Sequence, residues 1–269
     1  MVKKLFKHEY RAWLRLLPLI YGITLIISAM LRLLTVFEND SVYYDIVLFS
    51  GIFMYVVAML VTLATPTVFG ILRFYKNLFT GEGYLSHTLP VTPAAHIWVK
   101  LLTALSFDLA SGLVILLSGM IATSGELFSE ICKAISYLVN NIPLDIIPHL
   151  SGWLAEGILL IFLSSLNIHL LYSLCICLGQ MARKNRVLAA VGVYVGFYMV
   201  SQVLSTVITV VITVLGEAGA LDKLLAWIEA DPTTFIHLLL VGLCLLAALL
   251  DVVYYLICHR IICKKLNLE

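Results

Sequence analysis

Residues 46–72, IVLFSGIFMYVVAMLVTLATPTVFGIL, contain no charged side chain and are longer than the roughly 20 apolar residues a bilayer core requires. A run of this kind reads as a membrane-spanning helix. Its excess length implies tilt or a kink, and Pro66, within Thr62-x-x-Thr65-Pro66-Thr67, supplies a cause. Five further apolar runs follow the same rule, at about 16–36, 101–122, 152–178, 187–215 and 235–258. Composition agrees, since 62% of the 269 residues are hydrophobic and only 12% charged, against roughly a quarter charged in soluble domains. The expected architecture is all-α: a single transmembrane domain over 1–269, crossing the bilayer six times.

Charge sets the orientation, because lysine and arginine in short loops stay cytoplasmic. Lys3, Lys4, Lys7, Arg11, Arg15, Arg73, Lys76, Lys100, Arg183, Lys184, Arg186, Arg260, Lys264 and Lys265 fall on one side, and only Lys133 and Lys223 on the other. Both termini are therefore expected in the cytoplasm. Residues 1–15 interleave lysines with Leu5, Phe6, Tyr10, Trp13 and Leu14, the pattern of an amphipathic helix lying among headgroups. No small-residue cleavage site follows the first apolar run, so it reads as an anchor rather than a signal peptide. On the outer side, Leu127, Ile131, Ile135 and Leu138 form one stripe opposite Glu126, Glu130 and Lys133, and Leu221, Leu224, Leu225 and Ile228 form another. Each predicts a short surface helix. A net charge of +1 gives no reason to expect a nucleic-acid partner, and the six scattered cysteines read as free thiols.

The longest cytoplasmic segment is Arg73 to Lys100, RFYKNLFTGEGYLSHTLPVTPAAHIWVK. Gly81 and Gly83 form a hinge. If residues 83–89 are helical, Tyr84, Leu85, Thr88 and Leu89 share a face. Beyond Pro90, Thr92 is placed to cap a new helix whose first turn holds Pro93. The sequence FYKNLFTGEGYLSHTLPV resembles the cytoplasmic loop after the second membrane helix of bacterial, Firmicutes-like ABC-2 type transporter permeases. The resemblance covers the whole chain in topology and this loop in residue detail. It implies that residues 1–15 are an elbow helix, and that Glu82, Gly83, Tyr84, Leu85, Thr88 and Leu89 form a coupling helix seated on a separate ATPase subunit. It also implies a second permease copy or a paralogous permease, a bacterial plasma-membrane location, and ATP with magnesium on the partner ATPase. No cofactor is expected in this chain. The segment between spans three and four is larger than in the better-known family members, so exit gating does not transfer.

Other residues carry candidate chemistry. Asp108 and Asp251 lie in spans, where ionisable groups are costly, each on the order of 12 Å from the cytoplasmic edge. They read as a shared polar cavity, or as acids satisfied locally, Asp108 by Ser106, Ser111 or a neighbouring helix and Asp251 by Tyr254 or Tyr255. In the fifth span, Gly192 and Gly196 make a small-xxx-small pair for helix packing. Ser201, Ser205, Thr209 and Thr213, with Gln202, add a polar stripe. The resemblance puts that stripe and Pro66 on a conduit; bonding of the hydroxyls to their own helix is the competing reading. Glu156 lies near enough to the outer surface to reach water. It stands about 20 Å from His169 along one helix, too far for an acid–base pair.

No HExxH, GxSxG or GxxxxGK[ST] motif occurs, and Cys258, His259 and Cys263 lack a fourth ligand, so neither enzyme chemistry nor a metal site is expected. Energy for an ATP-driven pump would have to enter through another polypeptide. Three functions fit: the permease subunit of an ATP-driven exporter; an ion-coupled secondary transporter using Asp108 and Asp251; and a non-transporting scaffold or sensor.

Overall fold

The computed structural model describes residues 2–37, 41–80, 83, 91–141 and 147–264. Within them are eight helices: α1 (Val2–Val36), α2 (Val42–Phe79), α3 (Pro93–Ala122), α4 (Glu126–Asn141), α5 (Ile147–Gly179), α6 (Arg186–Glu217), α7 (Asp222–Ala230) and α8 (Pro232–Lys264). Six of them, all but α4 and α7, are long and apolar enough to cross a membrane. Helices suit that role because each satisfies its backbone polar groups internally, and lipid offers no replacement partners. The molecule is an all-α, multi-pass membrane protein. Its contacts gather into two compact units, one holding α1 to α4 and the other α5 to α8.

In the first unit, α1 runs antiparallel to α2 and parallel to α3. The rising pairs Glu9–Lys100, Trp13–Phe107 and Tyr21–Ser111 show the parallel register, and the opposed pairs Glu9–Arg73 and Thr24–Thr62 the antiparallel one. The core forms around Trp13, Leu17, Ala104 and Phe107. Trp13 stacks on Phe107 and meets Phe69 edge-on, each at 5.1 Å between centroids, arrangements that suit the ring quadrupoles. Polar ties between helices complete it: Thr24 to Thr62 at 2.6 Å, Tyr21 to Ser111 at 2.8 Å and Tyr55 to Ser118 at 3.0 Å.

The separate elbow expected over 1–15 is replaced by one continuous helix through residue 36, with Pro18 inside it. Its buried side chains, Glu9, Trp13, Leu17, Thr24, Ser28 and Leu31, recur at three-, four- and seven-residue steps. That stripe starts well inside the lysine-rich segment, which therefore packs on α2 and α3 rather than only resting among headgroups. The five basic residues occupy the exposed faces.

Helix α2 likewise overshoots the expected span and reaches Phe79, and Pro66 is fully buried within it. Helix α3 starts where the sequence indicates. Thr92 Oγ1 accepts from the Ala95 amide at 3.4 Å and Pro93 occupies the first turn. Between α3 and α4 the chain turns through Ser124 (φ 52°) and Gly125 (φ 81°), left-handed conformations that glycine adopts without strain. Helices α4 and α7 form where amphipathic stripes predicted them. Ile131, Ile135, Leu224 and Leu225 all remain exposed.

The second unit repeats the arrangement. Helix α6 packs antiparallel to α5, with Tyr172 stacked on Tyr194, and α8 runs parallel to α5. Gly179 closes the α5–α6 hairpin: a Cβ there would lie 2.6 Å from Ala190 backbone atoms. Along α8, His237, Cys244, Asp251 and Cys258 stand at seven-residue steps. They meet, in order, the Glu156 carboxylate, the Glu156 carbonyl, Asn167 and Cys177 on α5. A strict seven-residue repeat keeps one seam of a helix facing its neighbour. Here the seam is polar.

Candidate functional site

The feet of the 73–100 loop are held by one carboxylate. Glu9, from the lysine-rich end of α1, accepts from Arg73 Nε at 2.7 Å, Asn77 Nδ2 at 3.0 Å and Lys100 Nζ at 2.7 Å. Lys100 also donates to the Arg73 carbonyl at 3.3 Å, and the Arg73 guanidinium lies 5.9 Å from the Phe69 ring centre. The Glu9 side chain is 4% exposed, Lys100 10% and Arg73 19%. Burial alone would raise the Glu9 carboxyl. The charge of Lys100 and the hydrogen bonds from Arg73 and Lys100 outweigh it and hold the group below its ordinary 4.5. Two cations counted above as facing the cytoplasm are thus largely buried and share one anion. Charged hydrogen bonds of this length are the strong kind, and the cluster joins α1 to the end of α2 and the start of α3.

Of the loop between those feet, Gly83 donates its amide to the Thr80 carbonyl at 2.6 Å. The other residues of the expected coupling element, Glu82, Tyr84, Leu85, Thr88 and Leu89, lie outside the described residues, as does Gly81.

The remaining candidates separate. Asp108 is half-buried on α3, in the first unit; Ser111 bonds Tyr21, and Ser106 donates to the Thr103 carbonyl. Asp251 is buried on α8, in the second unit. It takes its hydrogen bond from Asn167 Nδ2 at 2.9 Å rather than from Tyr254 or Tyr255, and its Oδ2 has no hydrogen-bond partner among the described residues. The hydroxyls of α6 bond to their own helix. Ser201 donates to the Tyr198 carbonyl, Thr209 to that of Ser205 and Thr213 to that of Thr209, at 2.8 to 2.9 Å. No residue of α6 is buried, and Ser205 and Gln202 are exposed with the rest. Cβ atoms built on Gly192 and Gly196 meet nothing within 4 Å, so close packing at these glycines is not made within the described chain. Near Pro66, an apolar groove is lined by Leu16, Val61, Ala64, Thr65, Val68, Phe69 and Leu72.

Sequence reasoning missed Glu9, Asn77, His149 and His237. Glu9 left a usable signal: it is the only acid before residue 38, and it sits four residues before Trp13 and eight before Leu17 on the stripe that becomes buried. Glu156, read as near enough to the outer surface to reach water, accepts from His237 Nδ1 at 2.9 Å. All six cysteines are free. Among the described residues no group of three or more His, Cys, Asp or Glu side chains is arranged to hold a metal ion.

Compared with family models, curated proteins and solved structures, the chain matches none of them.

Proposed function

We propose that this chain is the membrane-spanning permease subunit of an ATP-driven exporter of the ABC-2 type, seated on a separate ATPase through Gly83 to Leu89. The observation that carries the proposal is the Glu9 cluster. A loop that receives mechanical force transmits it only if its feet are fixed to the spans, and here one buried carboxylate ties both feet to α1. The resemblance of residues 74–91 to permease coupling loops gives the force its source. In this reading the termini and the 73–100 loop are cytoplasmic, in a bacterial plasma membrane. ATP and magnesium bind the partner, and a second permease, identical or paralogous, completes the conduit. The bare surface of α6, with its two unobstructed glycines, is available for that second copy or for lipid.

The test replaces Tyr84, Leu85 and Leu89 together by glutamate in the chain expressed with its genomic neighbours. An ATP-binding subunit should co-purify with the native chain and be lost from the triple variant, along with nucleotide-dependent transport. Cargo translocation by the purified chain with no nucleotide-hydrolysing companion overturns the proposal.

A second reading has one observation in its favour. The Asp251 oxygen without a hydrogen-bond partner suits an ion-coupled transporter, because an ionisable group inside a membrane most often marks an ion or proton path. Transport in inverted vesicles that persists without ATP and collapses with the ion gradient would select it.

A further inference from the structure

At the start of α5 and α8, three titratable side chains stand in a row that the exporter reading does not use. His149 Nδ1 lies 3.2 Å from His237 Nε2, and His237 Nδ1 lies 2.9 Å and 3.1 Å from the two oxygens of Glu156. The geometry points to a divalent transition-metal site of the zinc or copper class, with His149 Nδ1 and His237 Nε2 as its two protein ligands and Glu156 orienting the second ring from behind.

Glu156 accepts the Nδ1 hydrogen of His237, which fixes that ring's tautomer and leaves a lone pair on Nε2. Nε2 stands 3.2 Å from His149 Nδ1, so the two nitrogens share either one hydrogen on the line between them or a cation set to one side of it. A spacing of 3.2 Å suits both, since two nitrogens bound to one tetrahedral zinc at the usual bond lengths are about 3.3 Å apart. The rear contact is the one a bound cation would call for. A metal-bound imidazole nearly always donates its other N–H to a carboxylate or carbonyl, and Glu156 occupies that position.

The surroundings fit as well. Gly152 lets the His237 ring lie where a Cβ would be 2.8 Å from Cε1. The Trp153 ring lies 5.6 Å from that of His237 and 6.2 Å from that of His149, and its buried indole N–H has no hydrogen-bond partner among the described residues. An oxygen ligand on the metal would supply one. The His237 and Glu156 side chains are 27% and 22% exposed, so the pair is reachable from solvent yet half withdrawn from it. With no third protein ligand among the described residues, water or an exogenous ligand fills the other positions, and the ion joins α5 to α8.

The experiment uses the full chain in nanodiscs, purified on a tag without histidine. Zn2+ titration followed by calorimetry should give one site per chain, and Cu2+ should give an electron-spin spectrum with hyperfine structure from two nitrogens. H149A and H237A should each weaken Zn2+ binding at least tenfold. E156Q should weaken it about 10- to 100-fold, the effect typical of lost outer-shell carboxylates, while the metal-free melting temperature stays near that of the native chain. H259A, on a different stretch of α8, should leave binding unchanged. Absence of a site, binding that survives in the H149A/H237A double variant, or binding lost in H259A overturns the assignment, and the first outcome means the two rings share only a hydrogen.

Discussion

The two units share a plan and differ in how they satisfy a buried acid. In each, the first and third long helices run parallel in contact and the second returns antiparallel. In the first unit, Glu9 meets two cations and an amide, and every donor is within 3.0 Å. In the second, Asp251 meets one neutral amide and keeps an oxygen without a partner among the described residues. A buried charge is tolerated when paired and hydrogen-bonded, and is costly otherwise. Glu9 therefore belongs to the framework, whereas Asp251 is the acid whose environment is unfinished.

The largest test of that contrast is E9Q, which takes from Arg73 and Lys100 the carboxylate they share. Removing one partner of a buried ion pair costs about 3–5 kcal/mol, so a clear drop in stability to unfolding in detergent is expected. Adding K100M should recover part of it, because one of the two cations that shared the carboxylate is then gone. Equal stability of E9Q and the native chain would remove the basis for treating this cluster as the brace of the loop.

G179A ranks next. Its new Cβ would meet Ala190 backbone atoms at 2.6 Å, so the α5–α6 hairpin must shift, at about 1–3 kcal/mol. The second unit should lose stability while the Glu9 cluster is untouched. D251N should cost about 1 kcal/mol or less, as it strands no cation and the new amide oxygen can still accept from Asn167 Nδ2. A loss as large as that of E9Q would show that Asp251 has a charged partner.

Acid should separate the regions further. The Glu9 carboxyl titrates below its ordinary 4.5 in the folded chain, so its contribution to stability is complete above about pH 4.5 and fades as pH falls through the lower folded value. E9Q should flatten that part of a melting-temperature profile. Asp231, half-buried just before α8, is held at about 2 against an ordinary 3.8 by the hydroxyl and amide of Thr234 and the hydroxyl of Thr233. Its smaller contribution should vanish between about pH 3.8 and 2, and D231N should remove that step. The smallest effect is expected from T209V on α6. Its hydroxyl bonds only its own helix, so a change of stability within about 0.5 kcal/mol is expected. A larger loss, or impaired transport with unchanged stability, would favour the α6 stripe as a conduit wall.

Much of the fold was legible because lipid imposes a simple rule. An uncharged run such as 46–72 has to be helical, and the Thr92-Pro93 start and the amphipathic stripes of α4 and α7 follow from local chemistry that needs no distant partner. The sites were less legible because their members are far apart in the chain. Glu9 and Lys100 are 91 residues apart, and Glu156 and His237 are 81. The seven-residue series His237, Cys244, Asp251 and Cys258 was present in the sequence as a seam, but its partner was not. The α6 hydroxyls illustrate the converse: their four-residue spacing left open a shared polar surface or bonding to their own helix, and only the structure shows Ser201, Thr209 and Thr213 donating within their own turn.

By itself the sequence determined that this is a six-span, all-helical membrane protein, because backbone groups in lipid have no other way to be satisfied. Tertiary structure alone decided which polar side chains inside it are paired. Pairing depends on register between helices distant in sequence, and a one-residue rotation about a helix axis turns a side chain by about 100°. That register places Glu9 between Arg73 and Lys100, His237 between Glu156 and His149, and Asp251 against Asn167.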